Sequence, residues 1–211
     1  MYRAIITFLL FLSVTSVFAQ TDWKLKNEKD GIKVYMSPVA DSKFKAIKVE
    51  CELNASARQL VKVLMDVKAA PEWVDHTKSA TLVKQVSPNE LYYYCEVNIP
   101  WPAKNRDFVA HLVVKQDPQT KVITVDGPAV PGFVPVKNGV VRINSSKGFW
   151  VITPIAQNKV KVKYTLQVDP GGNIPAWLVN MLAADSPMKS FEALIIQLKK
   201  PVYQDAQLAF N

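Results

Sequence analysis

The chain has 211 residues, of which 49% are apolar, and 26 lysines and arginines against 18 aspartates and glutamates give a net charge of +8. That length and apolar content fit one domain with a substantial core and leave too little chain for two. The basic residues are interleaved rather than clustered, which reads as a solvated face and not a nucleic-acid footprint, and only two cysteines exclude a disulfide-stapled scaffold.

At the N-terminus, Arg3 precedes an apolar run over 4–12 and then Val17-Phe18-Ala19, the pattern of an export signal cleaved between Ala19 and Gln20. Ser13, Thr15 and Ser16 break the run, which falls short of the roughly 20 apolar residues that span a bilayer. The expectation is a signal peptide over 1–19, a soluble domain over 20–211, and a periplasmic or extracellular address.

After a lead containing Trp23, the Asp30-Gly31 turn precedes a predicted strand over 32–36. Ile47, Val49, Cys51 and Leu53 alternate with Lys48, Glu50 and Glu52, which predicts a half-buried strand over 44–53. Asn54 is the expected N-cap of a helix carrying Leu60, Val61, Leu64 and Met65, and a second short helix is expected over 70–74. The apolar period then changes to two. Strands are predicted over 81–86, 90–98, 107–116, 121–126, 140–144 with 148–153, and 159–168. The turns Ser87-Pro88-Asn89, Asp117-Pro118-Gln119 and Gln157-Asn158 make these strands an antiparallel meander, which Gly171 and Gly172 end. A last helix from about Ile174 carries Trp177, Met181, Ala184, Met188, Phe191, Ile195 and Leu198 at helical spacing. Pro187, which lacks an amide donor, is expected to kink or divide it, with Ser186 capping the second half.

This order of elements is an α+β pattern. A twisted sheet of this size curls, and wrapped around the last helix it would enclose a hollow, although a filled core gives the same periodicity. Alternation puts Phe108, Ala110, Leu112 and Val114 on one face, together with Leu91, Tyr93, Cys95 and Val97 from the preceding strand and Tyr164 and Leu166 near the end of the sheet. That set is the candidate wall of the hollow, and the helix is expected to present Trp177, Met181 and Met188 to it. Cys51 and Cys95 read as buried free thiols, with a bridge left open because it needs adjacent strands. Adjacent strand residues point to opposite faces, so Arg106 and Asp107 are each expected to fix a loop or strand end. The segment 126–138 is unusually apolar for a loop, through Val130, Phe133, Val134 and Val136, and suits either a mouth or packing over the core edge. His76, beside Asp75 and Glu72, reads as a solvated surface residue. No nucleophile elbow, phosphate-binding glycine loop, His-Glu-x-x-His or paired-cysteine spacing is present, so no catalytic residue, metal site or cofactor is expected.

Three segments carry a resemblance: Pro71-Glu72-Trp73; Pro100-Trp101-Pro102 leading into Asn105-Arg106-Asp107-Phe108-Val109; and Gly171-Gly172-Asn173-Ile174-Pro175-Ala176-Trp177-Leu178-Val179-Asn180. In these motifs, their order and their spacing, the chain resembles the steroidogenic-acute-regulatory-related lipid-transfer (START) domains over nearly all of residues 23–200. The resemblance implies a helix-grip fold whose curved sheet and C-terminal helix form a tunnel for one sterol, phospholipid or other apolar molecule, without covalent chemistry. It also implies a mouth at the loop 99–105, with Ile99 and Trp101, and Phe133 and Val134 form a second candidate. In sterol-binding relatives an acid and an arginine meet inside the cavity, and the matching positions here are Tyr93 and Leu112. That departure leaves the hydroxyls of Tyr93, Tyr164 or Thr124 as the polar groups available to a ligand. The expected partners are an apolar small molecule and, weakly, an anionic membrane surface; nucleic acid is not expected, and the protein is expected to be a monomer. A polyketide cyclase or dehydratase on the same scaffold is the alternative from another class, and an interaction module with a filled core is a third.

Overall fold

A computed structural model describes residues 22–204, so the expected export signal lies outside the described residues. Three strands open the domain: β1 (Lys24–Lys29), β2 (Ile32–Val39) and β3 (Ser42–Leu53). The lead containing Trp23 thus continues into a strand. Its Lys-Leu-Lys-Asn-Glu-Lys sequence lacks a buried face because β1 is a sheet edge and pairs only with β2.

Helix α1 (Ala57–Met65) is capped by Ser56 and not by Asn54. The Gln59 amide donates to Ser56 Oγ at 3.2 Å and the Ser56 amide donates to Gln59 Oε1 at 2.7 Å. This reciprocal pair satisfies two helix-end donors at once, which a lone asparagine two residues upstream does not do. A 3-10 turn then leads into α2 (Ala70–Trp73).

The meander follows as β4 (Thr77–Ser87), β5 (Glu90–Val97), β6 (Arg106–Gln116), β7 (Ile123–Pro128), β8 (Val141–Arg142), β9 (Ser145–Ala156) and β10 (Lys159–Asp169). The sheet order is β1-β2-β3-β10-β9-β7-β6-β5-β4, antiparallel at each step. The two-residue β8 lies apart from this path, parallel to β6, with Asp107 opposite Arg142. The predicted strand over 140–144 with 148–153 is therefore two strands that pair with different neighbours.

Helix α3 (Ala176–Gln197) runs unbroken through Pro187, which corrects the expected division. Proline removes one donor from the ladder, and the turns on either side persist; here Ser190 Oγ donates to the Ser186 carbonyl at 2.9 Å. Helix α4 (Pro201–Gln204) places Tyr203 in the core. Among the described residues, no helix is long and apolar enough to cross a membrane.

The main core joins the inner face of the sheet to α1 and to the C-terminal half of α3, where Met188, Phe191, Leu194 and Leu198 are buried. A second, smaller cluster of Phe44, Ile174 and Leu178 packs with Ile99 and Ala103 at the start of α3. Cys51 and Cys95 are free and buried, on strands β3 and β5 that are not neighbours.

On the outer face, the connection from β7 to β9 is fastened by charge. Arg142 Nε donates to Asp107 Oδ1 at 2.7 Å, its Nη2 donates to Asp107 Oδ2 at 3.0 Å, and Tyr94 adds a bond to Oδ2. Removing one partner of a buried pair strands the other. Asp107→Ala is therefore expected to destabilise the fold by about 3–5 kcal/mol in urea unfolding; a loss under 1 kcal/mol would reduce this pair to a surface contact.

Candidate functional site

Between the inner face of the sheet and the N-terminal half of α3 lies a cavity of about 360 Å³. Tyr93, Cys95 and Val97 of β5, Phe108 and Leu112 of β6, Trp150 of β9, and Tyr164, Leu166 and Val168 of β10 form its sheet wall. Val179, Leu182, Ala183, Ser186, Pro187, Ser190 and Phe191 form the helix wall, a stripe at spacings of three and four. Three of these seven, Ala183, Ser186 and Ser190, are small side chains.

Two glycines shape the floor. A Cβ on Gly127 would lie 2.9 Å from Leu112 Cδ1, too close for both to keep their places. A Cβ on Gly148 would stand 3.8 Å from both Tyr164 Oη and Leu166 Cδ1, in ordinary contact at the edge of the hollow. Each glycine thus leaves volume that a side chain would take.

The polar atoms of the wall are few. Burial pushes the phenols of Tyr93 and Tyr164 well above their ordinary pKa and the Cys95 thiol up to about 12, so all three are neutral. Arg106 reaches the wall, where burial lowers its pKa, but its guanidinium fastens loops. Nε donates to the Pro170 carbonyl at 3.3 Å, Nη2 to the Gly171 carbonyl at 3.2 Å, and Nη1 to the Lys104 carbonyl. Asp107 points to the opposite face, as alternation requires. Asn105 Oδ1 accepts from the Ile99 amide at 3.2 Å, and its Nδ2 donates to Asn98 and Glu96, which holds the loop closed at its base.

Near the end of α2, Trp73, Asp75, His76 and Thr77 also line the cavity. His76, read as a solvated surface residue, is half-exposed at 29%, lies 3.4 Å from Asp75 Oδ2 and also lines the cavity. Asp75 is tied to α3 through its amide, which donates to Ser190 Oγ at 2.9 Å. Trp73 Nε1 and Asp75 Oδ2 are buried without hydrogen-bond partners among the described residues.

Of the residues singled out from sequence, Tyr93, Phe108, Leu112, Tyr164, Leu166, Ile99 and Arg106 meet at this cavity. Others do not. Trp177 is 66% and Met181 45% exposed, so they face solvent instead of the sheet, while Met188 is packed in the filled core beyond the cavity. The α3 surface is apolar nearly all round, so its periodicity does not select the side that faces inward. Thr124 lies on the outer face, opposite Val151 and Lys115, because Ile123 and Val125 take the core positions. Ala110 is buried on the inner face, where it pairs with Tyr93, but its methyl does not reach the cavity. Trp101 is 92% exposed, outside the mouth. Phe133 stacks on Tyr92 at 4.3 Å, and Tyr92 on His111 at 4.2 Å, so the segment of Phe133 and Val134 packs over the outer face and lines a separate shallow hollow. The helix stripe from Val179 to Ser190 and the two glycines were not anticipated, although the small residues at helical spacing are visible in the sequence.

A curved antiparallel sheet gripping one long helix around an apolar cavity defines the helix-grip class. Within that class, the sequence pattern described as START domain matches residues 16–197, and the chain belongs to the START domain family. An uncharacterised protein of Pseudomonas aeruginosa is 32% identical over 82% of this chain and 85% of its own length. Mouse phosphatidylcholine transfer protein is 30% identical over 77% of each chain. The crystal structure of a STAR-related lipid transfer protein fragment from Xanthomonas axonopodis superposes with a TM-score of 0.78 at 36% identity, covering 84% of this chain and 99% of that one.

Glu96 gives this region a pH dependence. A hydrogen bond from Lys78 at 2.7 Å, with further ones from Asn105 and Lys137, holds its carboxyl below the ordinary range. A depressed carboxyl pKa contributes stability above the unfolded value of about 4.3 and loses it as pH falls through the lower native value. The stability gap between wild type and Glu96→Gln should accordingly be full at neutral pH and close in acid, measured by urea unfolding across pH; a gap independent of pH would remove Glu96 from the account.

Proposed function

We propose that this protein holds one apolar small molecule, a lipid, in the cavity and carries it between membranes without covalent chemistry, as an exported monomer. The observation that carries this reading is the apolar hollow of about 360 Å³ between the sheet and α3. Protein interiors keep few voids larger than a water molecule, and this void is walled by aromatic and aliphatic side chains. Its size falls near the lower end of the roughly 300–1,000 Å³ of small-molecule sites, which suits a single chain or a compact ring system. Filling it removes apolar surface from water at about 25 cal/mol per Å². Family membership and the likeness to named lipid-transfer proteins support the same reading. Export is supported by the flanks and length of the segment over 1–19.

The same reading gives the exposed aromatics a use. Ile99 and Ile174 line one end of the cavity, where the loop after β5 packs on the start of α3. Trp101 and Trp177 are exposed on these two segments, with Lys43, Lys45 and Lys104 on the neighbouring chain. Tryptophan with lysine suits an anionic bilayer surface, so this end is the proposed docking end.

Native mass spectrometry of the purified protein, followed by organic extraction, is expected to yield a bound apolar molecule. Gly148→Leu, which grows into the hollow, should abolish the bound mass and the uptake of fluorescent lipid while circular dichroism stays unchanged. A wild-type protein that is free of bound mass and binds no fluorescent lipid would sink the carrier reading. For docking, replacing Trp101 and Trp177 together by alanine should slow lipid transfer between anionic vesicles several-fold, in line with aromatic anchoring; an unchanged rate would assign these residues elsewhere.

A further inference from the structure

One buried charge in the cavity wall is left without a counter-charge. Arg106 is 2% exposed and, among the described residues, is the one lysine or arginine that lines the hollow. Nε, Nη1 and Nη2 each donate to one backbone carbonyl, which leaves one further N–H on Nη1 and one on Nη2. The acids around it are engaged elsewhere. Asp107 pairs with Arg142, and Glu96 with Lys78 and Lys137. Asp169 Oδ1 accepts from the Gly171 amide at 3.0 Å. Asp75, the acid of the same wall, lies 3.4 Å from His76 Nε2 and is bonded through its amide to Ser190. Arg142 shows the contrast: its hydrogen bond to Asp107 raises its pKa, whereas burial alone acts on Arg106 and lowers it.

Neutral carbonyls orient a guanidinium but do not neutralise it, and a buried charge is stabilised chiefly by a paired and hydrogen-bonded one. A carboxylate or phosphate accepts two parallel N–H bonds, the number that Arg106 still offers. Position gives the orientation. The three carbonyls belong to Lys104, in the loop after β5, and to Pro170 and Gly171, ahead of α3. Arg106 therefore sits at the end of the hollow that Ile99 and Ile174 line. Elsewhere the wall is mainly aromatic and aliphatic, through Leu112, Trp150 and Phe191, and its volume suits one chain.

We propose that Arg106 anchors the acidic end of a single-chain amphiphile, a carboxylate or a phosphate monoester, whose hydrocarbon lies along the hollow. This rests on the carrier reading above and adds the charge of the ligand's polar end. The test uses delipidated protein and three probes of matched chain length, dodecanoate, dodecyl phosphate and dodecanol, with affinities measured by titration calorimetry. At least one anion is expected to bind about tenfold more tightly than dodecanol, the scale of a charge-assisted hydrogen bond. The tighter anion identifies the source as a fatty acid or a phosphate monoester. In Arg106→Gln that preference should vanish while dodecanol still binds, which reports that the hollow is intact. A second measurement decides the case in which this variant loses its fold. In wild-type protein with isotopically labelled arginine, the Arg106 side-chain resonances should shift with the preferred anion and stay in place with dodecanol. An anion preference that survives in Arg106→Gln, or Arg106 resonances that do not move when the anion binds, would overturn the proposal. Dodecanol bound as tightly as both anions defeats this inference and leaves the carrier reading standing; failure of all three probes defeats both.

Discussion

The structure depends on one asymmetry: α3 is seated in a filled core along its C-terminal half and touches the sheet again only through the small cluster of Leu178 on Phe44, with the cavity between the two. Phe191 and Leu194 are 2% and 0% exposed, and the Phe191 ring lies 5.5 Å from Trp150. Toward the N-terminus the inward stripe includes the small side chains of Ser190, Ser186 and Ala183 before Leu182 and Val179. Large residues there would close the gap, as a packed interior requires. The anchored half fixes the helix axis, so the small residues leave a hollow and the sheet does not collapse onto them. Gly127 and Gly148 do the same from the opposite side.

Charge in this fold works mainly as fastening. Arg106 and Asp107 are consecutive, and the strand period sends them to opposite faces. Inside, Arg106 joins the connection before β6 to the turn after β10 through three carbonyls. Outside, Asp107 holds Arg142, which in turn donates to the carbonyls of Val134 and Pro135. Two loops at one end of the cavity and one over its back are thereby fixed by adjacent residues. Three of the five N–H donors of the Arg106 guanidinium meet carbonyls, so in the cavity wall it serves first as a tie between loops.

The sheet was legible in the sequence because period two is a strong signal where one face is buried, and Tyr93, Leu112 and Tyr164 follow from it directly. Edge strands lose that signal, which is why β1 reads only as a charged lead. The inward side of α3 was illegible for the opposite reason, since Trp177 and Met181 are as apolar as the residues that do face the sheet. That Asp75 and His76 also line the cavity is not legible in sequence, because a polar pair beside a cavity and a polar pair in water look alike. Thr124 was weighed for its hydroxyl, and its neighbours Ile123 and Val125, both buried, outcompete it for the inner face.

In the carrier reading the protein must bind and also release, and the two clusters suit a division of that work. The main core spans the inner face, α1 and the far half of α3, and its opening amounts to unfolding. The cluster of Phe44, Ile174 and Leu178 with Ile99 and Ala103 is small, and it joins elements that are otherwise connected by a loop and a helix end. Local opening follows the smallest set of buried contacts that can separate alone. In the carrier reading, that set lies where Trp101 and Trp177 are exposed, so the end that separates most readily is also the end suited to a bilayer. A membrane that took up these aromatics would offset the loss of the small cluster while the main core kept its packing. Exchange would then be slow in water and faster at a bilayer surface, with the ligand's own apolar burial setting the difference.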